Sequence, residues 1–292
     1  MGIHRNVLHN GRIECSDTAV FRPGQIGILA GWGVFTTLRV RHAALFAWER
    51  HWARMSRDAR LLNLELPSPD EVHAGLLRLI EANNQTECTL RLVFVRNSGG
   101  LWEDAGSASN PVDFAAMTAD SKQWHHGVRL GVRPDARHAA CEFAGAKLLS
   151  WAQNLSWAER AHLAGEDEVV LLNEHGRVAE CTSANIFAVF GENAVTPPLS
   201  EGCLPGITRE ILLELSGDGT QVTERQLSLA DLHAADAVFI TSSTRNLLTV
   251  GHLEGRALRQ SGNIPARLSA RFDAFVEEDL AERPRAGAGV CA

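Results

Sequence analysis

The chain has 292 residues, 45% of them hydrophobic and 22% charged, with a formal net charge of −7. This is the balance of an ordinary globular protein, long enough for two domains or one large one, and its acidity argues against general nucleic-acid binding. No apolar run reaches the roughly 20 residues of a membrane span, the opening "MGIHRNVLHNGRIE" lacks the apolar core of a signal peptide, and the six cysteines are widely spaced without a C-x-x-C pair. A reducing, cytoplasmic setting without membrane contact or structural metal is therefore expected.

"GVFTTLRVRHAALFAW" reads as a strand hairpin turning at Arg41-His42, and "ERHWARMSRDARLLNLEL" as a helix. A second helix follows in "SPDEVHAGLLRLIEANN", where Ser68 is the N-cap candidate before Pro69 and acidic residues fill the first turn. "CTLRLVFVRN" is a strand and "SGGLWEDAGSASNPVDF" a loop, a candidate gate for a site. A domain boundary is placed around Ala115–Lys122. This gives a small N-terminal domain over 1–118, a linker at 119–122 and a larger domain over 123–282. "GVRLGVRP" is a strand, and a long helix ends near Gly165. "DEVVLLNEHGRVAECTSANIFAVF" supplies three consecutive strands, the first two joined by the turn "NEHG". "LPGITREILLEL" begins a helix behind a Pro-Gly corner, "DAVFITSSTRNLLTV" adds a late strand, and the tail 283–292 reads as disordered.

Two signals stand out for chemistry. The chain holds only two lysines, Lys122 and Lys147, and Lys147 sits among small and apolar neighbours in "FAGAKLLSW". Desolvation there would disfavour the ammonium and free the amine as a Schiff-base nucleophile, while a surface lysine with a buried stem is the plainer alternative. The second signal is the corner before Ile207, because a helix N-terminus offers unpaired N–H groups and partial positive charge to a phosphate. Three further groups stay open between a functional and a plain role. Glu180 closes the strand "GRVAEC", where it could face a ring nitrogen or water. Arg54 could clamp a phosphate or lie on a solvated helix face with Arg50 and Arg57. The hydroxyls of "ITSSTRN" could bind phosphate or make a turn. The chain has no tyrosine against seven tryptophans, so a phenol's role must pass to another group.

Taken together and in order, "GWGVFTTLRV", "FAWERHWARM", "AKLLSWAQNLSWAERAHLAGEDEVVLLNEHGRVAECTSANIFAV", "TPPLSEGCLPGITRE" and "VFITSSTRNLLTV" resemble the class IV aminotransferases, the pyridoxal 5′-phosphate (PLP) fold type IV, from about residue 10 to about residue 255. That family includes branched-chain and D-amino-acid aminotransferases and aminodeoxychorismate lyases. The resemblance implies a two-domain α/β fold with a small N-terminal α/β domain, a larger mixed barrel-like C-terminal domain and the cofactor between them. It also implies a homodimer. Lys147 would hold PLP as an aldimine and shuttle a proton, and Glu180 would pair with the pyridinium nitrogen. Arg54, Gly206, Ile207, Thr208, Ser242 and Ser243 would hold the phosphate. Phe35, Arg91, Trp32 and Thr244 fall at substrate positions; Arg91 would meet the substrate carboxylate, or simply point outward from its strand.

The chain departs from the family at three places. Trp151 stands where many members have a cofactor-binding tyrosine, and an indole N–H donates but cannot accept or ionise. Thr36 replaces a glutamate common in transaminases and resembles the lyases, where such a threonine is implied to assist elimination catalytically. Trp32, between two glycines, is expected to crowd the pocket. Three readings follow: a transaminase moving an amino group between an amino acid (branched-chain or D-type) and a 2-oxo acid by a ping-pong cycle; a lyase releasing pyruvate and 4-aminobenzoate; or a PLP-fold binding protein without catalysis.

Overall fold

The computed structural model of the chain describes residues 2–18, 25–97, 110–217 and 219–287. Its contacts divide the chain into two units, Met1–Lys122 with Lys147–Trp151 and Val276–Ala292, and Gln123–Ala146 with Ala152–Phe275. Among the described residues no helix is long and apolar enough to cross a membrane.

The first unit runs β1 (Ile3–His9), β2 (Arg12–Cys15), α1 (Ile26–Ala30), β3 (Gly33–Arg41), β4 (Ala44–Leu45), α2 (Trp48–Leu61), α3 (Pro69–Ala82), β5 (Cys88–Arg96) and β6 (Val112–Ala119). Its strands form one antiparallel sheet in the order β2-β1-β6-β5-β3-β4. Leu38, Leu90, Leu92 and Phe94 of the sheet pack with Met55 and Ala59 of α2 and with Val72, Leu76, Leu79 and Ile80 of α3. The α3 residues recur at three- and four-residue spacing, as an amphipathic helix requires. On α2 the buried face is different: His51, Arg54 and Asp58 share it with Trp48, Met55 and Ala59. Ionisable side chains enter a core only where hydrogen bonds satisfy them.

Several expectations are adjusted here. The first hairpin turns at His42-Ala43, one position further on, because both residues adopt positive φ (53° and 59°), the geometry of a two-residue turn matched to strand twist. Ser68 does precede Pro69 at the N-cap of α3, but its side chain makes no capping bond. Ala115–Ala119, expected at the edge of a boundary, lies within β6 and pairs with β1 and β5. Residues 98–109, most of the candidate gating loop, lie outside the described residues. The described end of the tail is anchored rather than disordered: Arg283 bonds Asp279 and Glu49, and the Ala286 N–H donates to the Ala43 carbonyl.

The second unit continues with β7 (Val128–Arg137), α4 (Ala152–Leu163), β8 (Glu168–Asn173), β9 (Val178–Cys181), β10 (Asn185–Phe190), β11 (Asn193–Thr196), α5 (Ile207–Glu214), β12 (Gln221–Glu224), α6 (Leu229–Ala234), β13 (Ala237–Ser242), β14 (Asn246–Leu253), β15 (Arg256–Ala257) and α7 (Ile264–Ala281). The mixed sheet has the order β12-β11-β10-β13-β14-β7-β8-β9, with β15 on β14. The pairs β11–β12, β14–β7 and β7–β8 are parallel. The three consecutive strands are β8, β9 and β10, as expected. The late strand is in fact a hairpin: "SSTRN" breaks it into β13 and β14, which pair antiparallel from Ser242–Asn246 onward.

Candidate active site

In the first unit the segment carrying Lys147 is fixed through its backbone. The Phe35 N–H donates to the Lys147 carbonyl (3.1 Å) and the Leu149 N–H to the Gly33 carbonyl (2.9 Å), so the segment lies along the start of β3. A Cβ at Gly33 would collide with the Phe94 carbonyl and the Leu149 side chain, which is why glycine stands there. From the other side the Lys147 N–H donates to Asp58 Oδ2 (3.0 Å), and Arg57 donates to the other carboxylate oxygen.

Lys147 is half-buried. Its Nζ lies 4.5 Å from the centre of the Phe35 ring and 4.8 Å from that of Trp151. The two rings meet edge to face, with centroids 5.7 Å apart. The Arg91 guanidinium sits 4.9 Å from the same Phe35 ring, and its Nε donates to Thr37 Oγ1 (3.4 Å). The structure thus brings Lys147, Phe35, Trp151 and Arg91 together. Trp32 is employed elsewhere: its indole N–H donates to the Leu62 carbonyl at the end of α2 (3.0 Å), and its ring carries the Arg96 guanidinium.

The polar face of α2 reaches β3. Arg54 Nη2 donates to Thr36 Oγ1 (3.0 Å), and that oxygen lies 2.7 Å from His51 Nδ1. Burial, and then the charges of Arg54 and Lys147, hold His51 well below its ordinary pKa. The imidazole is therefore neutral, and in its Nε2–H tautomer Nδ1 accepts the Thr36 proton. Thr36 is fully buried.

In the second unit Glu180 is 5% exposed, so the water-facing alternative does not hold. Arg137 Nε donates to its Oε1 (2.9 Å) and the Leu204 N–H to its Oε2 (3.0 Å). Two bonds leave a carboxylate acceptor capacity for a further donor. Arg137 in turn donates to Asn154 Oδ1, whose amide donates to the Thr182 carbonyl (2.6 Å).

The corner before α5 is built by Asn185, which donates to the Leu204 carbonyl (2.8 Å) and occupies the space that a Cβ on Gly206 would need. Ile207 and Thr208 then open α5, both buried. Thr208 Oγ1 has no hydrogen-bond partner although it is enclosed. A buried hydroxyl left without a partner at a helix N-terminus is what an oxyanion would satisfy.

The turn of Ser242, Ser243 and Thr244 is held by its neighbour Arg245. Arg245 pairs with Glu168 (2.8 Å) and donates to Ser183 Oγ (2.7 Å), while Ser183 (2.6 Å) and Thr182 donate to Glu168. Burial opposes ionisation of Glu168, but the Arg245 charge and the two hydroxyls outweigh it and hold the carboxyl below its usual range. Among the described residues no cluster suits a metal ion.

Arg137, His51, Asp58 and the Glu168–Arg245 pair were not singled out from sequence. Only α2 carried a usable signal: positions 51, 54 and 58 follow the helical period on the face that also bears Met55 and Ala59.

Each unit carries groups of the kind PLP requires: in the first an amine beside aromatic rings and a buried arginine, in the second a buried carboxylate and a helix start with an unsatisfied hydroxyl. The model of the amino-transferase class IV family matches residues 33–253. A putative branched-chain-amino-acid aminotransferase of Methanocaldococcus jannaschii is 30% identical over 253 residues, covering 84% of this chain and 88% of the relative. A D-alanine aminotransferase of Bacillus licheniformis is 28% identical over 258 residues, 86% and 89% of the two chains. The crystal structure of a branched-chain aminotransferase from the thermophilic archaeon Thermoproteus uzoniensis, with norvaline, matches with a TM-score of 0.85 at 25% identity, over 95% of this chain and 96% of that one. With a family match across most of its length and the fold of these enzymes, the chain belongs to the class IV aminotransferases.

Proposed function

We propose that the protein is a PLP-dependent transaminase that moves an amino group from an amino acid to a 2-oxo acid in two half-reactions. The observation that carries this reading is the setting of Lys147, a scarce lysine whose main chain is bonded to Asp58 and Phe35 and whose amine lies against Phe35 and Trp151. Bound PLP supplies an electron sink for the pair left on the substrate Cα when its proton departs.

The chain's own residues do the rest. Lys147 Nζ is the amine that would hold the cofactor and would then move the Cα proton. Glu180, held between Arg137 and the Leu204 N–H, would pair with the ring nitrogen. Arg54, the Ile207 N–H, the Thr208 hydroxyl and the Ser242–Ser243 turn, with Gly206 giving the approach, bind the phosphate. Arg91 takes the substrate carboxylate. Phe35 and Trp151 wall the amine from water. Thr36 gives its proton to His51 and its lone pair to Arg54, so it is engaged in holding Arg54, and this favours transamination over the lyase reading.

The test is a half-reaction. Single L- or D-amino acids are added to the PLP-loaded protein without a 2-oxo acid, and the absorption spectrum is recorded. Loss of the PLP band and growth of the pyridoxamine phosphate band supports transamination, and the responding amino acids give the substrate class. A band that no amino acid shifts, together with pyruvate release from aminodeoxychorismate, would establish the lyase instead. Lys147→Ala should abolish the covalent PLP band and all turnover; retained turnover removes Lys147 from its role.

A further inference from the structure

His51 has no part in the reaction just described, yet it is a fully buried titratable side chain next to it. Its Nδ1 lies 2.7 Å from Thr36 Oγ1, the oxygen that also accepts from Arg54 Nη2 at 3.0 Å. Chemistry fixes the direction of the first bond, and the imidazole tautomer that of the second. A guanidinium can only donate, so Thr36 accepts from Arg54. In the tautomer protonated at Nε2, the hydroxyl gives its single proton to the imidazole Nδ1. The sequence Arg54 to Thr36 to His51 is thus a directed relay that begins on a full charge, and each bond polarises the next. Two of its members are on α2, nearly one turn apart, and the third is on β3, so the relay ties the helix to the sheet at the guanidinium itself.

A planar guanidinium recognises a phosphate by two parallel bonds only when its plane is held in the right orientation. We propose that His51 is a positioning residue: as a neutral acceptor it keeps the Thr36 proton, and through Thr36 it holds the Arg54 guanidinium in the orientation that selects phosphorylated over unphosphorylated pyridoxal. This inference rests on the reading of Arg54 as a phosphate ligand. An asparagine at 51 can offer an amide oxygen near the place of Nδ1, and a leucine fills similar space without an acceptor.

The experiment measures the affinity of the full-length, cofactor-free protein for PLP and for pyridoxal, and takes their ratio. His51→Leu should weaken PLP binding about ten- to hundredfold, the scale of one buried polar contact left unmade, and change pyridoxal binding less than about twofold. His51→Asn should restore most of the ratio. Thr36→Val, which removes the hydroxyl at nearly constant shape, should lower the ratio as His51→Leu does and serves if the leucine variant does not fold. Equal weakening of both ligands would mean that His51 only packs α2, and an unchanged ratio would mean no role; either overturns the inference. Arg54→Ala separates the two levels. A ratio that survives Arg54→Ala removes Arg54 from the phosphate and with it the reading beneath. A ratio that falls with Arg54→Ala but not with His51→Leu or Thr36→Val removes His51 alone.

Discussion

Asp58 holds Lys147 by its backbone, not by its amine: the Lys147 N–H donates 3.0 Å to Asp58 Oδ2, while Arg57 neutralises the opposite oxygen. The segment that bears the lysine is therefore pinned to α2, and its amine lies against Phe35 and Trp151. Asp58→Ala would leave the Lys147 N–H and the Arg57 guanidinium without this carboxylate. A loss of ~1–3 kcal/mol in unfolding free energy is expected, as for a buried hydrogen bond left unmade. PLP incorporation should fall with it, because the amine loses its fixed approach. Urea unfolding and the PLP band measure the two effects, and an unaltered rate of incorporation would mean that β3 alone positions the segment.

Gly206 makes a different demand. Its φ of −70° and ψ of 140° are open to any residue, so it is glycine for space and not for conformation. A Cβ there runs into Asn185, which is itself bonded to the Leu204 carbonyl. Gly206→Ala should destabilise by ~1–3 kcal/mol, the usual cost of overpacking, and should displace the start of α5. Adding Asn185→Ala should recover part of that loss, so the two changes should be less damaging together than their sum. Strict additivity in thermal unfolding would show that the strain is taken up elsewhere.

These two sites show what could be read from sequence and what could not. The helices and most strands follow from hydrophobic period and from Pro-Gly punctuation, both of which are local. The corner at Gly206 was legible because a turn and a helix start coincide in one short stretch. The buried face of α2 was not. Arg50, Arg54 and Arg57 recur at helical spacing and suggest a solvated stripe, yet Arg54 belongs equally to the stripe of His51 and Asp58. Only the contact with Thr36 on β3 decides between them. Arg137 was illegible for the same reason, since its partner Glu180 lies 43 positions away on another strand. Family resemblance supplied the roles proposed for Lys147 and Glu180. It did not supply what holds them.

The Glu168–Arg245 pair is one such support. Glu168 is buried and Arg245 largely so, and together with Ser183 they join the end of β9 to the turn of Ser242–Thr244. Removing one partner of a buried pair strands the other charge. Arg245→Leu should therefore cost ~3–5 kcal/mol and should weaken PLP binding through the loosened turn. Combining it with Glu168→Leu should cost less than the sum of the two single changes. Denaturant titration of the three variants provides the cycle, and an additive result would dissolve the pair as an energetic unit.

His51 sets the acid side of the stability profile. In the unfolded chain it takes a proton near pH 6.5, its ordinary value; in the folded protein burial, Arg54 and Lys147 push that value well down. Below about pH 6.5 the unfolded state therefore binds the extra proton, and stability falls as pH falls until the folded value is reached. His73 adds to the same slope, lowered first by its burial and then by the Arg283 charge, which Glu49 and Asp70 oppose. Glu168 acts in a lower window. Its carboxyl is depressed, so its contribution is whole above the ordinary carboxylate range and is lost only as pH falls through the lowered value. Between about pH 7 and about pH 5.5, then, the histidine should cost the folded state ~1 kcal/mol. His51→Asn keeps an acceptor for Thr36 and removes the titration, so it should shrink the loss of urea stability over that interval by about that amount and leave the His73 share. If wild type and variant lose stability equally, the folded imidazole titrates at its ordinary value and the lowering assigned to His51 fails; if the wild type loses less than the variant, the imidazole is already charged and the direction assigned to the Thr36–His51 bond is reversed.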